Sequence, residues 1–266
     1  MKRTLAVEFF FQILALILAV IVVHSVYATV VRPNAEAISL SQHARIAAGE
    51  DFIAERSLYV VLKDYEQETC FILFFWAMAI MGFKSVGAHK ERALLQEELI
   101  PVTEGMSILP EDSRNYTRPL QALPEESQGF LLPRALTAAL QRFGSTRNVQ
   151  DVSEAVKSIC ESENARLDSE LSMIRYIAWA IPSIGFIGTV RGIGAALGQA
   201  HQAVQGNIAP VTESLGVAFN STFVALVLSI ILMFFMHQVQ LLQERLVLDT
   251  HTYADARLIR HMQVRS

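Results

Sequence analysis

Four stretches of this chain stay apolar long enough to cross a bilayer, and polar segments separate them. The first covers residues 5–31. Gln12 is the one polar residue between positions 9 and 23, and Lys2 and Arg3 precede the stretch. A signal peptide begins the same way. Here the apolar run continues past Val23 with only His24, Ser25 and Thr29 interrupting it, and no small-residue cleavage site closes it. That predicts a retained helix. The second stretch begins at Cys70, where CFILFFWAMAIMGF is short for a crossing. Extending it over 70–88, with Lys84 snorkelling to the surface, approaches the ~20 residues a span needs. A re-entrant segment is the alternative. The third span is 173–197. The fourth is 212–236, with Thr212 read as an N-cap and Glu213 in the first turn.

The intervening segments carry the charge. Residues 32–68 hold four basic and seven acidic side chains, with amphipathic patches at 35–48 and 52–62 that predict short helices. Residues 89–170 are charged and contain Pro101, Pro110, Pro119, Pro124 and Pro133. Within them, 89–98 continues the helix of the second span and the proline zone folds back. Pro133 and Gly144 bracket a short helix. From Val149 a helical pattern runs unbroken into the third span. A turn over 198–211 has no Lys or Arg, and a polar helix follows the fourth span over 238–266.

Placing the N-terminus inside gives outer segments with four and zero basic residues. The inner segments then hold two, eleven and four, counting Lys84 and Arg175 at the inner span ends with the second, and this leaves Arg191 as the one charge deeper within a span. The expected fold is an all-α integral membrane protein with four transmembrane helices, long helical cytoplasmic extensions and both termini in the cytoplasm. Its segments are a first span to 31, a periplasmic stretch 32–69, a second span 70–88, a cytoplasmic region 89–170, a hairpin core 171–237 and a C-terminal cytoplasmic helix. Composition agrees: 52% hydrophobic and 18% charged residues are membrane-protein values, as is a mean hydropathy of +0.33. A net charge of −4 argues against nucleic acid. Cys70 and Cys160 fall on opposite sides in this topology, so no mutual disulfide is expected, and no metal-ligand spacing is present.

Candidate chemistry concentrates in IPSIGFIGTVRGIG, residues 181–194. Ala178, Pro182, Gly185, Thr189, Gly192 and Ala196 recur at three- and four-residue spacings and share a face almost without side chain. Gly188/Gly192 and Gly194/Gly198 supply two successive GxxxG spacings for close helix approach. In the fourth span Ser214, Ala218, Ser221, Thr222, Ala225 and Ser229 form a small, hydroxyl-bearing stripe. Asn220 lies beside it and needs a partner within the protein. Back-bonding to the preceding turn is the plain alternative for each Ser and Thr. No Asp or Glu lies deep in any span, so the chain alone is no carboxylate-based proton carrier. Either the chain moves no ions, or a partner helix supplies the acid. Arg191 stands about 200° around the helix from Thr189 by the ~100° helical step, so a structural or subunit contact, with Glu213 a candidate partner, is expected.

At these residues the chain resembles the MotA/TolQ/ExbB proton channel family. The third span is similar to that family's proline, glycines and Gly-Thr-Val-x-Gly-Ile, and SLGVAFNSTFVALVLSI is similar to the helix that follows. Residues 170–236 carry the resemblance. It implies a multi-pass protein of the bacterial inner membrane and a homopentamer surrounding two helices of a single-span partner like MotB, TolR or ExbD. The partner's aspartate then carries the ion past the subunits' threonines, and ion flow drives rotation: a motor or stator without enzymatic chemistry or cofactor. By match to the pattern, Thr189 and Thr222 are the ion-path threonines, with Ser221 and Asn220 beside them. Pro182, Gly185, Gly188, Gly192, Ala218 and Ala225 are packing or partner-facing positions. Arg191 stands where relatives have an apolar residue. The extra hydroxyl of Ser221 keeps sodium open beside the proton. Two readings from other classes remain: a non-conducting scaffold, and a small-solute transporter, for which no internal repeat is found.

Overall fold

The computed structural model describes residues 2–47, 57–101 and 106–264. The amphipathic patch expected at 52–62 lies partly outside them. The chain is all-helical among these residues, and four of its helices are long and apolar enough to cross a membrane. With its polar segments, this makes it a multi-pass membrane protein. It divides into two units. One comprises Met1–Met81 with Met173–Met236, the other Gly82–Ser172 with His237–Ser266.

In the first unit, α1 (Lys2–Val26) does not stop where its apolar run ends. It passes through a π-helical turn (Tyr27–Val31) into α2 (Arg32–Ala47). The Arg32 N–H reaches back to the Tyr27 carbonyl, the five-residue spacing of a π turn. Charge explains the continuation. Arg32 is held by the buried Glu68 carboxylate and stacks over the Tyr65 ring, 4.2 Å from its centroid, so the first polar residue after the span is neutralised in place. A short helix α3 (Leu58–Leu62) follows, capped by Ser57, whose hydroxyl accepts from the Tyr59 N–H. Helix α4 (Tyr65–Ala93) starts earlier than the expected span, because Asp64 and Gln67 form a capping pair in which the Gln67 side chain accepts the Asp64 N–H at 3.0 Å. Val23, Tyr27 and Val31 pack against Leu62, Phe71 and Ile72. The Trp76 indole N–H donates to the Gln12 carbonyl at 2.9 Å.

The second unit contains α5 (Ser113–Gln121), α6 (Glu125–Gln128), α7 (Leu131–Thr146) and α8 (Val149–Glu170). Gly144 does not end α7, as its position suggested. The helix runs on to Thr146 and is closed by Arg147 in the left-handed conformation, φ 54°. Asn148 then caps α8 by accepting the Gln150 N–H at 2.9 Å, so two residues suffice for the turn. Leu136, Leu140 and Phe143 of α7 close a core with Val152, Val156 and Cys160 of α8 and with Ala254, Leu258 and Met262. Glu163 is buried and held by Arg134, at 3.2 Å, and by Arg166. Ile108 pairs with the C-terminal segment through a parallel bridge to Met262. Both cysteines are buried and free.

Helix α9 (Ser172–Gly198) follows α8 after a single turn residue, Leu171. The next turn contains a short helix, α10 (Ala200–Val204), and Gly206 at φ 92°, where a side chain would be strained. Helix α11 (Ala209–Arg257) is 49 residues long. It begins three residues before Thr212, which is therefore no N-cap. Its hydroxyl donates back to the Ala209 carbonyl at 2.8 Å instead.

Candidate functional site

The hairpin of α9 and α11 in the first unit collects most of the small and hydroxylated residues singled out above. Its contact is built on three glycines. A Cβ at Gly185 would stand 2.4 Å from the Ala225 Cβ, one at Gly188 would stand 2.5 Å from the Ser221 Cβ, and one at Gly192 would meet Ala218 N and Cβ at 2.7 Å. No side chain fits at such distances, so the helices approach along Gly185, Gly188 and Gly192 on one side and Ala218, Ser221 and Ala225 on the other. All six are buried. Gly194 and Gly198 have nothing within 4 Å, so the second GxxxG spacing packs on no described element of this chain.

Pro182 lies inside α9 without ending it. Proline has no N–H, so the carbonyl four residues earlier, Ala178, loses its helical donor. The Ser229 hydroxyl of α11 fills that place, donating to the Ala178 oxygen at 3.1 Å. Nearby, the Cys70 thiol lies 3.6 Å from the Ile181 carbonyl. An interior proline is tolerated in a membrane helix when a neighbour re-satisfies the freed group, and Ser229 is that neighbour. Composition does not point to Ser229 as special. The signal that identifies it is the proline's i−4 carbonyl, which demands a donor.

Thr189 and Thr222 meet across the hairpin, their hydroxyls hydrogen-bonded to one another. The Thr189 Oγ1 also lies 3.1 Å from the Ala218 carbonyl and 3.4 Å from that of Gly185, and the Thr222 Oγ1 lies 3.1 Å from the Gly185 carbonyl. Four oxygens from two helices are thus gathered in an otherwise apolar contact. Both threonines remain half-buried, so the cluster opens at the edge of the hairpin. Chemically, such a cluster can pass a hydrogen bond to a carboxyl group or offer oxygen ligands to a hard cation.

The neighbouring polar residues behave differently. Ser221 is buried, and its hydroxyl donates to the Val217 carbonyl of its own helix at 2.9 Å. Asn220 is half-buried, and its amide has no hydrogen-bond partner among the described residues. An amide in that state within a span calls for a group from outside the chain. Large apolar side chains flank the site: Phe186, Val190, Phe219, Phe223 and Ile230 are all exposed.

Arg191 turns to carboxylates of its own chain. Its Nε lies 2.6 Å from Glu66 Oε1, its terminal nitrogen 2.9 Å from Glu66 Oε2, and Asp64 Oδ1 stands at 3.4 Å. The forked contact with Glu66 is the bidentate geometry guanidinium favours. Glu213 pairs with Lys63 at 3.4 Å. Burial pushes the Asp64 carboxyl above its ordinary value, opposed by the positive charges of Arg191 and Lys63. These acids precede the second apolar run, and their proximity to Arg191 is not visible in linear order.

Residues 130–252 match the MotA/TolQ/ExbB proton channel family. The match covers the hairpin and extends beyond the 170–236 that carried the resemblance, back through α8 to the start of α7. Neither the curated proteins nor the solved structures give a match.

Proposed function

From the match of residues 130–252 to the MotA/TolQ/ExbB proton channel family, we propose that this chain is the wall subunit of an ion-driven membrane motor. Five copies surround two helices of a single-span partner like MotB, TolR or ExbD, in the bacterial inner membrane with both termini in the cytoplasm. The partner's membrane aspartate carries the ion. It takes hydrogen bonds from Thr189 and Thr222 of successive subunits, and the ion motive force becomes work on the envelope or on a rotor. The observation that carries this reading is the half-buried oxygen cluster of Thr189, Thr222 and the Gly185 and Ala218 carbonyls. It sits in spans whose sequence has no deep carboxylate to serve as carrier. Asn220, without a partner in the described chain, supports an incoming helix or a second subunit at the same edge. The same oxygens suit sodium, the alternative ion.

The scaffold reading is favoured by one observation: both threonine hydroxyls already have acceptors within the chain. Flux separates the two. The chain is co-expressed with a single-span membrane protein that carries an aspartate in its span, and proton and sodium uptake are measured in vesicles. Thr189→Val and Thr222→Val should abolish uptake while native mass shows unchanged assembly, and Thr222→Ser should retain it. Full uptake in both valine variants would refute the assigned path. Uptake that persists in sodium-free buffer identifies the proton.

A further inference from the structure

The second unit contains a concavity that the motor reading does not use. It lies between α5 and α7, has a volume of ≈ 680 Å³, and is lined by Arg114, Arg118 and Arg147 together with Ser113, Glu111 and Gln141. That volume is within the usual ~300–1,000 Å³ range of small-molecule sites. Three guanidinium groups face one carboxylate. Glu111 pairs with Arg147 at 3.5 Å, whereas Arg114 and Arg118, one turn apart on α5, have no carboxylate partner among the described residues.

Two features distinguish this concavity from a solvated basic face. Ser113 is 95% buried by its 5% exposure, yet its Oγ has no hydrogen-bond partner in the described structure, and it lines the cavity. A buried hydroxyl without a partner is uncommon, and here it belongs to a residue in the wall of the concavity. Arg147 adds the second feature. It holds the left-handed closing position of α7, which glycine or asparagine takes with less strain, and it is the residue there that brings a guanidinium to the cavity.

We propose that this concavity binds a soluble small molecule through its phosphate groups. Guanidinium forks match phosphate oxygens in pairs, and three of them around one hollow suit a di- or polyphosphate better than a single carboxylate. A ligand that draws the α5 and α7 walls together gives the Ser113 hydroxyl, now closed off from the hollow, the partner it lacks. Among the lining residues only Pro110, Leu140 and Gly144 are apolar, and none is aromatic. An acyl chain therefore has no seat, and a nucleobase has no ring to stack on, so recognition rests on the phosphates. Ligand bridging α5 and α7 would tighten the unit that carries both. This site stands on its own residues and holds whether or not the hairpin conducts.

The test uses the full chain in detergent and inorganic pyrophosphate as probe, followed by isothermal titration calorimetry near physiological salt. Saturable binding at about one site per chain is expected. Arg114→Gln/Arg118→Gln should weaken it by about tenfold or more, as loss of charge-assisted bonds does. Ser113→Ala should weaken it by several-fold without lowering thermal stability, because the Oγ has no partner to lose. Arg142→Gln removes an exposed charge of α7 that does not line the cavity and should leave affinity unchanged. Absence of saturable binding, an undiminished affinity in the double variant, or equal weakening by Arg142→Gln overturns the assignment. Tighter binding of dihexanoyl phosphatidylglycerol than of pyrophosphate overturns the soluble ligand in favour of a lipid headgroup.

Discussion

The Ser229–Pro182 relation can be tested as a coupling. Replacing Ser229 by Ala leaves the Ala178 carbonyl without the donor that Pro182 already denies it. A buried acceptor left unsatisfied costs about 1–3 kcal/mol in soluble proteins. Interhelical hydrogen bonds in membrane proteins average about 0.6 and reach about 1.7 kcal/mol. Ser229 is 6% exposed and the acceptor has lost its own helical bond, so the upper part of the membrane range applies, about 1–2 kcal/mol. In a Pro182→Ala background the residue at 182 regains an N–H, the helical bond to Ala178 forms, and Ser229→Ala should cost no more than a few tenths. The coupling is then about 1 kcal/mol or more. It is read from a double-mutant cycle, using unfolding of the full chain in mixed micelles followed by circular dichroism. Equal costs of Ser229→Ala in the two backgrounds would refute the reasoning, since the bond would then owe nothing to the proline.

Further expectations rest on other contacts. Gly192→Ala forces a Cβ to within 2.7 Å of the Ala218 backbone, whereas Gly194→Ala meets nothing within 4 Å. The first should destabilise the hairpin by about 1–3 kcal/mol through overpacking, and the second should stabilise it by up to about 1 kcal/mol through helix propensity, both read from the same micelle unfolding. Arg191→Leu leaves Glu66 and Asp64 facing each other without their cation, and should cost about 1–2 kcal/mol, less than a fully buried pair because the Arg191 side chain is 50% exposed. Arg191→Lys keeps the charge but loses the fork, so an intermediate unfolding midpoint is expected. For Asp64 the sign follows from its raised carboxyl: the folded state holds the proton more tightly than the unfolded chain, so stability is present below the ordinary value of 3.8 and is lost as pH rises above it. Asp64→Asn keeps a capping residue and removes the titration. Its thermal midpoint should fall less than the wild type's as pH rises above the ordinary value of 3.8. A steeper fall in the variant would contradict the burial argument.

That four stretches are long and apolar enough to cross a bilayer was legible in linear order, because such a run requires only local composition. The small stripes of α9 and α11 were legible as well, since helical spacing places their residues on one face before any partner is known. Tertiary structure decided which stripe meets which. It set Gly185, Gly188 and Gly192 against Ala225, Ser221 and Ala218, and left Gly194 and Gly198 uncovered, although both glycine pairs have the same spacing. It also joined Thr189 to Thr222, gave Ser229 to the carbonyl orphaned by Pro182, and brought Asp64 and Glu66 to Arg191 across more than a hundred residues. Helical periodicity is a property of neighbours within one turn. Hydrogen bonds and ion pairs depend on positions of a few ångströms between separate helices, and only the packed hairpin sets those distances.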